Sequence, residues 1–176
     1  MKKVRLATAW LDGCSGCHMS LLDLDEALLE IAKRVDVVYG PLVDAQEFPK
    51  GVDVALVEGA VSSQDDLEKI RTIRQRSKVV VALGDCAVTG NVPAMRNSIA
   101  PRKLLERIYV DGALENRGIP TEGVPSLLRR AIPVHEVVKV DLDVPGCPPP
   151  PKAIAFVLAE LCEGRIPVLG AKVKFG

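Results

Sequence analysis

The chain has 176 residues and zero formal net charge, with 23 Lys and Arg balanced by 23 Asp and Glu. This balance provides no basic surface for nucleic acid or an anionic membrane, and no apolar run reaches the roughly 20 residues of a membrane span. Five cysteines are too few for a disulfide scaffold, so metal or redox ligands in a cytoplasmic protein are expected. The length favours one domain over residues 1–176.

Predicted strands and helices alternate in the first half of the chain. Apolar runs rich in branched residues predict strands at 4–10, 35–39, 52–57 and 79–83. Residues 19–35 place their apolar side chains on one helical face. Residues 63–76 begin with a serine N-cap and acids and end with basic residues, which also predicts a helix. The strand runs are continuous, which is typical of a parallel sheet buried on both faces.

The second half has a looser pattern. Residues 84–133 contain five prolines and one predicted helix near 102–109, and such a long irregular stretch is usually functional. A fifth strand is predicted at 134–142, near a sheet edge because it alternates, and a final helix at 151–162. Together the elements predict the α/β class, flavodoxin-like, with a doubly wound, mostly parallel sheet and helices on both faces.

Four of the five cysteines follow the ends of predicted strands. Cys14 and Cys17 come after the first strand, Cys86 after the fourth and Cys147 after the fifth. Because the carboxyl ends of parallel strands form the ligand crevice of such sheets, the four thiols are expected to converge. Cys162 lies inside the final helix and is expected to be a small buried apolar residue.

Four converging thiolates can bind tetrahedral zinc or an iron–sulfur cluster. Structural zinc sites usually combine two close pairs of ligands. Here one close pair is joined by two single cysteines from distant loops, which favours a cluster. A zinc-stabilised interaction module is the alternative.

Three further polar residues lie beside the cysteine loops. Glu58 follows the third strand and is either an acid facing water or a group beside the cluster that handles protons or tunes its potential. His18 adjoins Cys17 and is either a surface or helix-start histidine or another neighbour of the cluster. Asp85 is expected to cap amides of its own loop rather than to act in catalysis.

The sequence resembles the small subunit of [NiFe] hydrogenases in four segments. They are WLDGCSGC at 10–17, EGAV at 58–61, GDCAVTG at 84–90 and PGCPP at 145–149, in matching order and strand context. The resemblance implies that Cys14, Cys17, Cys86 and Cys147 ligate one proximal [4Fe-4S] cluster. It also implies that this cluster would take electrons from a Ni-Fe centre on a large subunit. The related quinone-reductase subunit of respiratory complex I typically has adjacent cysteines in place of Cys-x-x-Cys.

The resemblance also suggests a type of hydrogenase. Many small subunits begin with a twin-arginine export signal and end in a cysteine-rich region holding two more clusters, and neither is expected here. In this short form, the chain is similar to the small subunits of soluble, bidirectional NAD(P)-reducing hydrogenases, which interconvert H2 + NAD⁺ and NADH + H⁺. The resemblance implies that the large subunit carries the Ni-Fe centre. It also implies that NAD(P) binds to a diaphorase module that contains iron–sulfur clusters and flavin. Residues 91–133 are expected to contact a partner.

Other functions stay open at this level. A complex I-like quinone-coupling subunit, or a hydrogenase that reduces a deazaflavin or a disulfide partner, would share most of these motifs. FMN binding to this chain is disfavoured because Cys14 and Cys17 occupy the loop that is a hydroxyl-rich phosphate cradle in flavodoxins.

Overall fold

A parallel sheet forms the centre of the computed structural model, which describes residues 3–170. The strands are β1 (Val4–Trp10), β2 (Val35–Tyr39), β3 (Val52–Glu58), β4 (Val61–Ser63), β5 (Ser77–Leu83), β6 (Leu127–Ile132) and β7 (Leu142–Val144). Five of them pair in parallel in the order β2-β1-β3-β5-β7, whereas β4 and β6 form an antiparallel pair. This strand order confirms the predicted flavodoxin-like class.

Helices cover both faces of the parallel sheet. They are α1 (Gly16–Leu22), α2 (Ala27–Arg34), α3 (Gln64–Arg76), α4 (Asp85–Thr89), α5 (Asn91–Ala94), α6 (Pro101–Glu106) and α7 (Pro151–Cys162). On one face α3 buries Ile70 and Ile73 against β1, β3 and β5. On the other face α7 buries Ile154 and Leu158 beside α1. No helix in the described range is long and apolar enough to cross a membrane.

The start of α3 shows why its sequence signals were reliable. The Ser63 hydroxyl accepts the Asp66 backbone N–H at 3.1 Å, and the Asp66 carboxylate accepts the Ser63 N–H at 2.9 Å. This reciprocal capping box pairs two backbone N–H groups at the helix start. Two arginines, Arg74 and Arg76, occupy the last turn, where positive charge suits the helix dipole.

The single helix predicted at 19–35 is wrong, because the chain forms α1 and α2 with a turn between them. Asp25 has a φ of 48° in that turn, which a continuous helix does not allow. The regular spacing of apolar residues continued across the turn and concealed it. In α2 these residues lie on one face, but none of them is fully buried.

The strand predicted at 134–142 is also wrong over most of its length. Residues Val134–Glu136 form a 3-10 helix directly after Pro133. Pairing with β5 starts only at Asp141, whose N–H donates to the Val80 carbonyl at 2.9 Å. The valines between them pack on the core from irregular backbone, so packing rather than strand pairing explains their alternation. The resulting strand, β7, is at the sheet edge as expected.

The stretch 84–133 contains more structure than its sequence predicts. The helix expected near 102–109 is confirmed as α6 with a wider helical turn at Arg107–Asp111. The pairing of β4 with β6 and the short helices α4 and α5 were missed. Arg96 fixes this region by donating to the carbonyls of Ser62 and Leu128, and the Asn97 side chain exchanges two hydrogen bonds with Ala131.

We predict that Asp141→Asn destabilises the fold in a pH-dependent way. The Asp141 carboxylate accepts the Val80 N–H and pairs with Arg74. Burial raises the pKa of Asp141, but these hydrogen bonds outweigh it and hold the pKa below its ordinary value. Losing the charged hydrogen bonds should lower the free energy of unfolding by about 2 kcal/mol at neutral pH.

Because the folded-state pKa is the lower one, this stabilisation is present above the unfolded pKa of about 4. It is lost as the pH falls through the folded pKa. Urea unfolding of both proteins across acidic pH should therefore show their difference shrinking below about pH 4. The exposed Asp143→Asn serves as control, and a difference that does not depend on pH would contradict the interpretation.

Candidate metal centre at the carboxyl end of the sheet

The four predicted cysteines lie beyond the carboxyl ends of three parallel strands. Cys14 and Cys17 follow β1, with Cys17 in the first turn of α1. Cys86 lies in the first turn of α4 after β5, and Cys147 follows β7. Cys17 is buried, Cys86 is half-buried, and Cys14 and Cys147 are exposed, so the group lies at the protein surface.

The four thiols are close enough to affect one another's ionisation. Burial, the Glu58 carboxylate and the other three thiols of the group raise the pKa of Cys17 to about 12. Burial also raises the pKa of Cys86, whereas a hydrogen bond from the Val92 backbone N–H opposes this rise. Thiolates that disfavour each other in this way are stabilised by a cationic metal centre, which deprotonates coordinating thiols.

Cys162 does not belong to this group. It lies at the end of α7, where burial raises its pKa and Arg34 and Glu163 are the charged neighbours that affect it. Its side chain packs at the margin of the core between the sheet and α7.

Glycines allow the loops to approach the sulfurs closely. Gly84 has a φ of +85°, and a Cβ at this position would collide with the sulfur of Cys17. A Cβ at Gly16 would lie 3.3 Å from the sulfur of Cys14. Gly16 and Gly84 therefore leave room for the thiols of Cys14 and Cys17. The absence of a side chain at Gly84 also allows the loop after β5 to pack against α1.

Glu58 and His18 form a buried pair beside Cys17. Glu58 is the last residue of β3 and only 2% exposed, so it does not face water. Its Oε2 accepts the backbone N–H of His18 at 3.0 Å and is also in hydrogen-bond contact with Nδ1 of the same residue. The Nε2 atom of His18 is buried and has no hydrogen-bond partner among the described residues. His18 is thus a buried residue near the start of a helix.

Additional contacts that the sequence did not suggest position the cysteine loops. The Ser20 hydroxyl on α1 donates to the Pro149 carbonyl at 2.5 Å, which links the helix carrying Cys17 to the loop carrying Cys147. The Trp10 ring packs edge-on against His18 with centroids 5.3 Å apart. The Ser20–Pro149 contact joins residues 129 positions apart and therefore carries no local sequence signal.

The loop that contains Cys14 also packs against the end of β3. Asp12 and Ala60 exchange two backbone hydrogen bonds of 3.0 and 2.7 Å. A Cβ at Gly59 would lie 2.8 Å from the Asp12 oxygen, so the EGAV segment needs glycine at this position.

No three His, Cys, Asp or Glu side chains within residues 3–170 lie close enough together to hold a single metal ion.

An apolar cavity of about 510 Å³ lies next to the site, between α1, α2 and the sheet. His18 and Asp36 are the ionisable residues that line it in the described chain.

Residues 14–161 match the family model described as NADH ubiquinone oxidoreductase, 20 Kd subunit. The chain is 42% identical over 172 residues to a subunit of the F420-non-reducing hydrogenase vhu of Methanocaldococcus jannaschii, an alignment covering 97% of this chain. It spans 60% of that protein's length. It is 38% identical to the NAD-reducing hydrogenase HoxS subunit delta of Cupriavidus necator, covering 93% of this chain and 80% of that protein.

Solved structures agree with these sequence relationships. One chain in the structure of an NAD⁺-reducing [NiFe]-hydrogenase in the H2-reduced state has a TM-score of 0.94 and 36% identity, with 98% of each chain covered. A chain of the [NiFeSe] hydrogenase from Desulfovibrio vulgaris Hildenborough has a TM-score of 0.61 at 20% identity and shows the fold alone.

The chain therefore belongs to the NADH ubiquinone oxidoreductase 20 Kd subunit family and, within it, to the hydrogenase small subunits. The resemblance inferred from the four motif segments is confirmed.

We predict that Gly84→Ala disrupts the packing between the loop after β5 and α1. The φ of +85° disfavours alanine, and the added methyl group would collide with the Cys17 sulfur. Together these effects should lower the free energy of unfolding by about 3 kcal/mol or more. Gly51→Ala is a matched control, because its φ is +71° but nothing lies within 4 Å of the added Cβ. Equal losses for the two variants in denaturant unfolding would contradict the predicted collision.

Proposed function

We propose that this chain is the electron-transfer small subunit of an NAD(P)-reducing [NiFe] hydrogenase, and that residues 1–176 form one domain holding one [4Fe-4S] cluster. The observation that supports it most is the convergence of four thiols from three strand ends at one surface site. Cys14, Cys17, Cys86 and Cys147 would hold the cluster. When bound, such a cluster supplies one-electron redox chemistry.

The surrounding residues would set the conditions for electron transfer. The Val92 backbone N–H lies close enough to Cys86 to lower the pKa of its thiol, and such N–H groups stabilise negative charge on a ligand sulfur. Glu58 places a carboxylate near Cys17 that opposes additional negative charge. Burial of Cys17 excludes water from one side of the site. These residues would tune the potential without reacting themselves.

The exposed side of the site suits electron exchange with partner subunits. Cys14 and Cys147 are exposed, and the exposed apolar residues Val92 and Met95 follow α4, which carries Cys86. Apolar side chains beside a redox site favour burial against a partner. The proposed partners are a large subunit with the Ni-Fe centre and a diaphorase module, which carries iron–sulfur clusters and flavin and reduces NAD(P).

The choice of NAD(P) as acceptor is supported by two similar proteins, the HoxS subunit delta and the NAD⁺-reducing structure. A second candidate is a hydrogenase subunit that passes electrons to an acceptor other than NAD(P) or F420. It is supported by the 42% identity to subunits of F420-non-reducing hydrogenases. In both candidates this chain performs the same relay step, so the electron acceptor discriminates between them. H2-dependent reduction of NAD(P)⁺ by the complex copurified with its partner subunits would support the first candidate, and its absence would support the second.

FMN stays disfavoured as a ligand of this chain. The cavity beside the site offers an almost entirely apolar wall, and the ionisable residues in its described lining are a carboxylate and His18. A flavin phosphate is usually held by cations or by several backbone N–H groups.

We predict that Cys86→Ala loses or degrades the cluster, whereas Cys162→Ala retains it. Cys86 is one of the four converging thiols, and Cys162 is a half-buried cysteine outside them. The experiment compares iron content, cluster absorbance and H2-dependent NAD(P)⁺ reduction in complexes copurified with their partner subunits. Physiological hydrogen oxidation should be abolished only by Cys86→Ala. Equal damage from both variants would mean that the ligands are wrongly assigned.

We also predict that Glu58→Gln raises the midpoint potential of the cluster by roughly tens of millivolts, because it removes a negative charge near Cys17. Redox titration followed by EPR measures this shift, and H2-dependent NAD(P)⁺ reduction shows its effect on electron flow. The exposed Asp65→Asn on α3 is the control for removal of a carboxylate. A wild-type midpoint together with a wild-type rate would mean that Glu58 is a bystander.

A further inference from the structure

Asp85 connects two of the loops that carry the predicted cysteines. Its Oδ1 accepts the backbone N–H of Gly146 at 2.7 Å, and its own N–H donates to the carbonyl of Gly146 at 2.9 Å. Asp85 directly precedes Cys86, and Gly146 directly precedes Cys147. A single residue pair, 61 positions apart in the sequence, therefore links the backbone beside two of the thiols.

These bonds extend the β5–β7 pairing beyond the end of the sheet. Within the sheet the last paired residues are Leu83 and Val144, and the Gly84 N–H then donates to the Val144 carbonyl at 2.8 Å. The Asp85–Gly146 bonds come next in the same direction. The two loops thus leave the sheet in register, and the last contact before the thiols uses a side chain.

Gly146 needs this contact because its backbone is unusual. Its φ is +127°, and a Cβ there would lie 2.6 Å from Cα of Pro149. This conformation turns the chain sharply towards Cys147 and directs the partly buried Gly146 N–H to the Asp85 carboxylate. Without an acceptor, that N–H would lose its partner in a region with limited access to water.

We propose that Asp85 is a positioning residue, whose side-chain oxygen fixes Gly146 and so sets the separation of the Cys86 and Cys147 sulfurs. This inference rests on the proposed function, because it concerns ligands of the proposed cluster. The hydrogen bond needs an acceptor oxygen rather than a charge. Asparagine can supply that oxygen, whereas alanine cannot.

The test compares Asp85→Ala, Asp85→Asn and the exposed Asp143→Ala in the full chain, purified without oxygen and with its copurifying partners. Iron retention against a chelator and the EPR spectrum of the reduced cluster are measured, with circular dichroism to check the fold. We expect Asp85→Ala to weaken iron retention about 10-fold or more and to alter the EPR spectrum. Asp85→Asn and Asp143→Ala should stay close to wild type.

Two results would overturn the inference. One is wild-type iron retention and EPR spectrum in Asp85→Ala, which would mean that the carboxylate positions nothing. The other is loss of iron in Asp85→Asn equal to that in Asp85→Ala, which would assign the effect to charge. Where the Ala variant does not fold, loss of iron in the folded Asp85→Asn variant would still overturn the inference. Failure of the wild-type chain to bind iron would instead refute the proposed function.

Discussion

The contact between the Cys17 sulfur and the backbone of Gly84 is the constraint on which the site depends. It brings the helix after β1 against the loop after β5 so closely that no Cβ fits between them. The other cysteine-bearing segments are then tied to this contact by hydrogen bonds. Ser20 links α1 to the loop that carries Cys147, and Asp85 links the loop that carries Cys86 to that same loop. Glu58 links β3 to α1. The parallel sheet brings the four cysteines to one edge, and these few contacts fix the distances between their loops.

Much of this arrangement could be predicted from the sequence. The position of each cysteine relative to a strand end was readable from apolar runs, even though the fifth strand was misplaced. The valines after Pro133 pack on the core although their backbone is irregular, and their spacing in the sequence resembles the alternation of a strand. The burial of Glu58 could not be predicted, because it depends on contact with His18, 40 residues earlier. The role of Asp85 likewise depends on Gly146, which is distant in sequence and close only in the fold.

The same geometry suits the proposed role of an electron relay between partner subunits. The thiol group is buried on the Cys17 side and open on the side of Cys14 and Cys147. Such a site can be insulated by its own core while its exposed side is covered by a partner. The chain is similar both to a subunit of an NAD-reducing hydrogenase and to subunits of F420-non-reducing hydrogenases. We therefore expect the partner subunits to determine the acceptor.

The nature of the metal bound by the four thiols tests the central claim most directly. Iron, acid-labile sulfide and zinc should be measured in the anaerobically purified full chain, together with the EPR spectrum after reduction. The proposed function predicts about four irons and four sulfides per chain and a cluster signal that appears on reduction. Stoichiometric zinc, without iron or labile sulfide, would contradict it and identify the thiols as a structural zinc site.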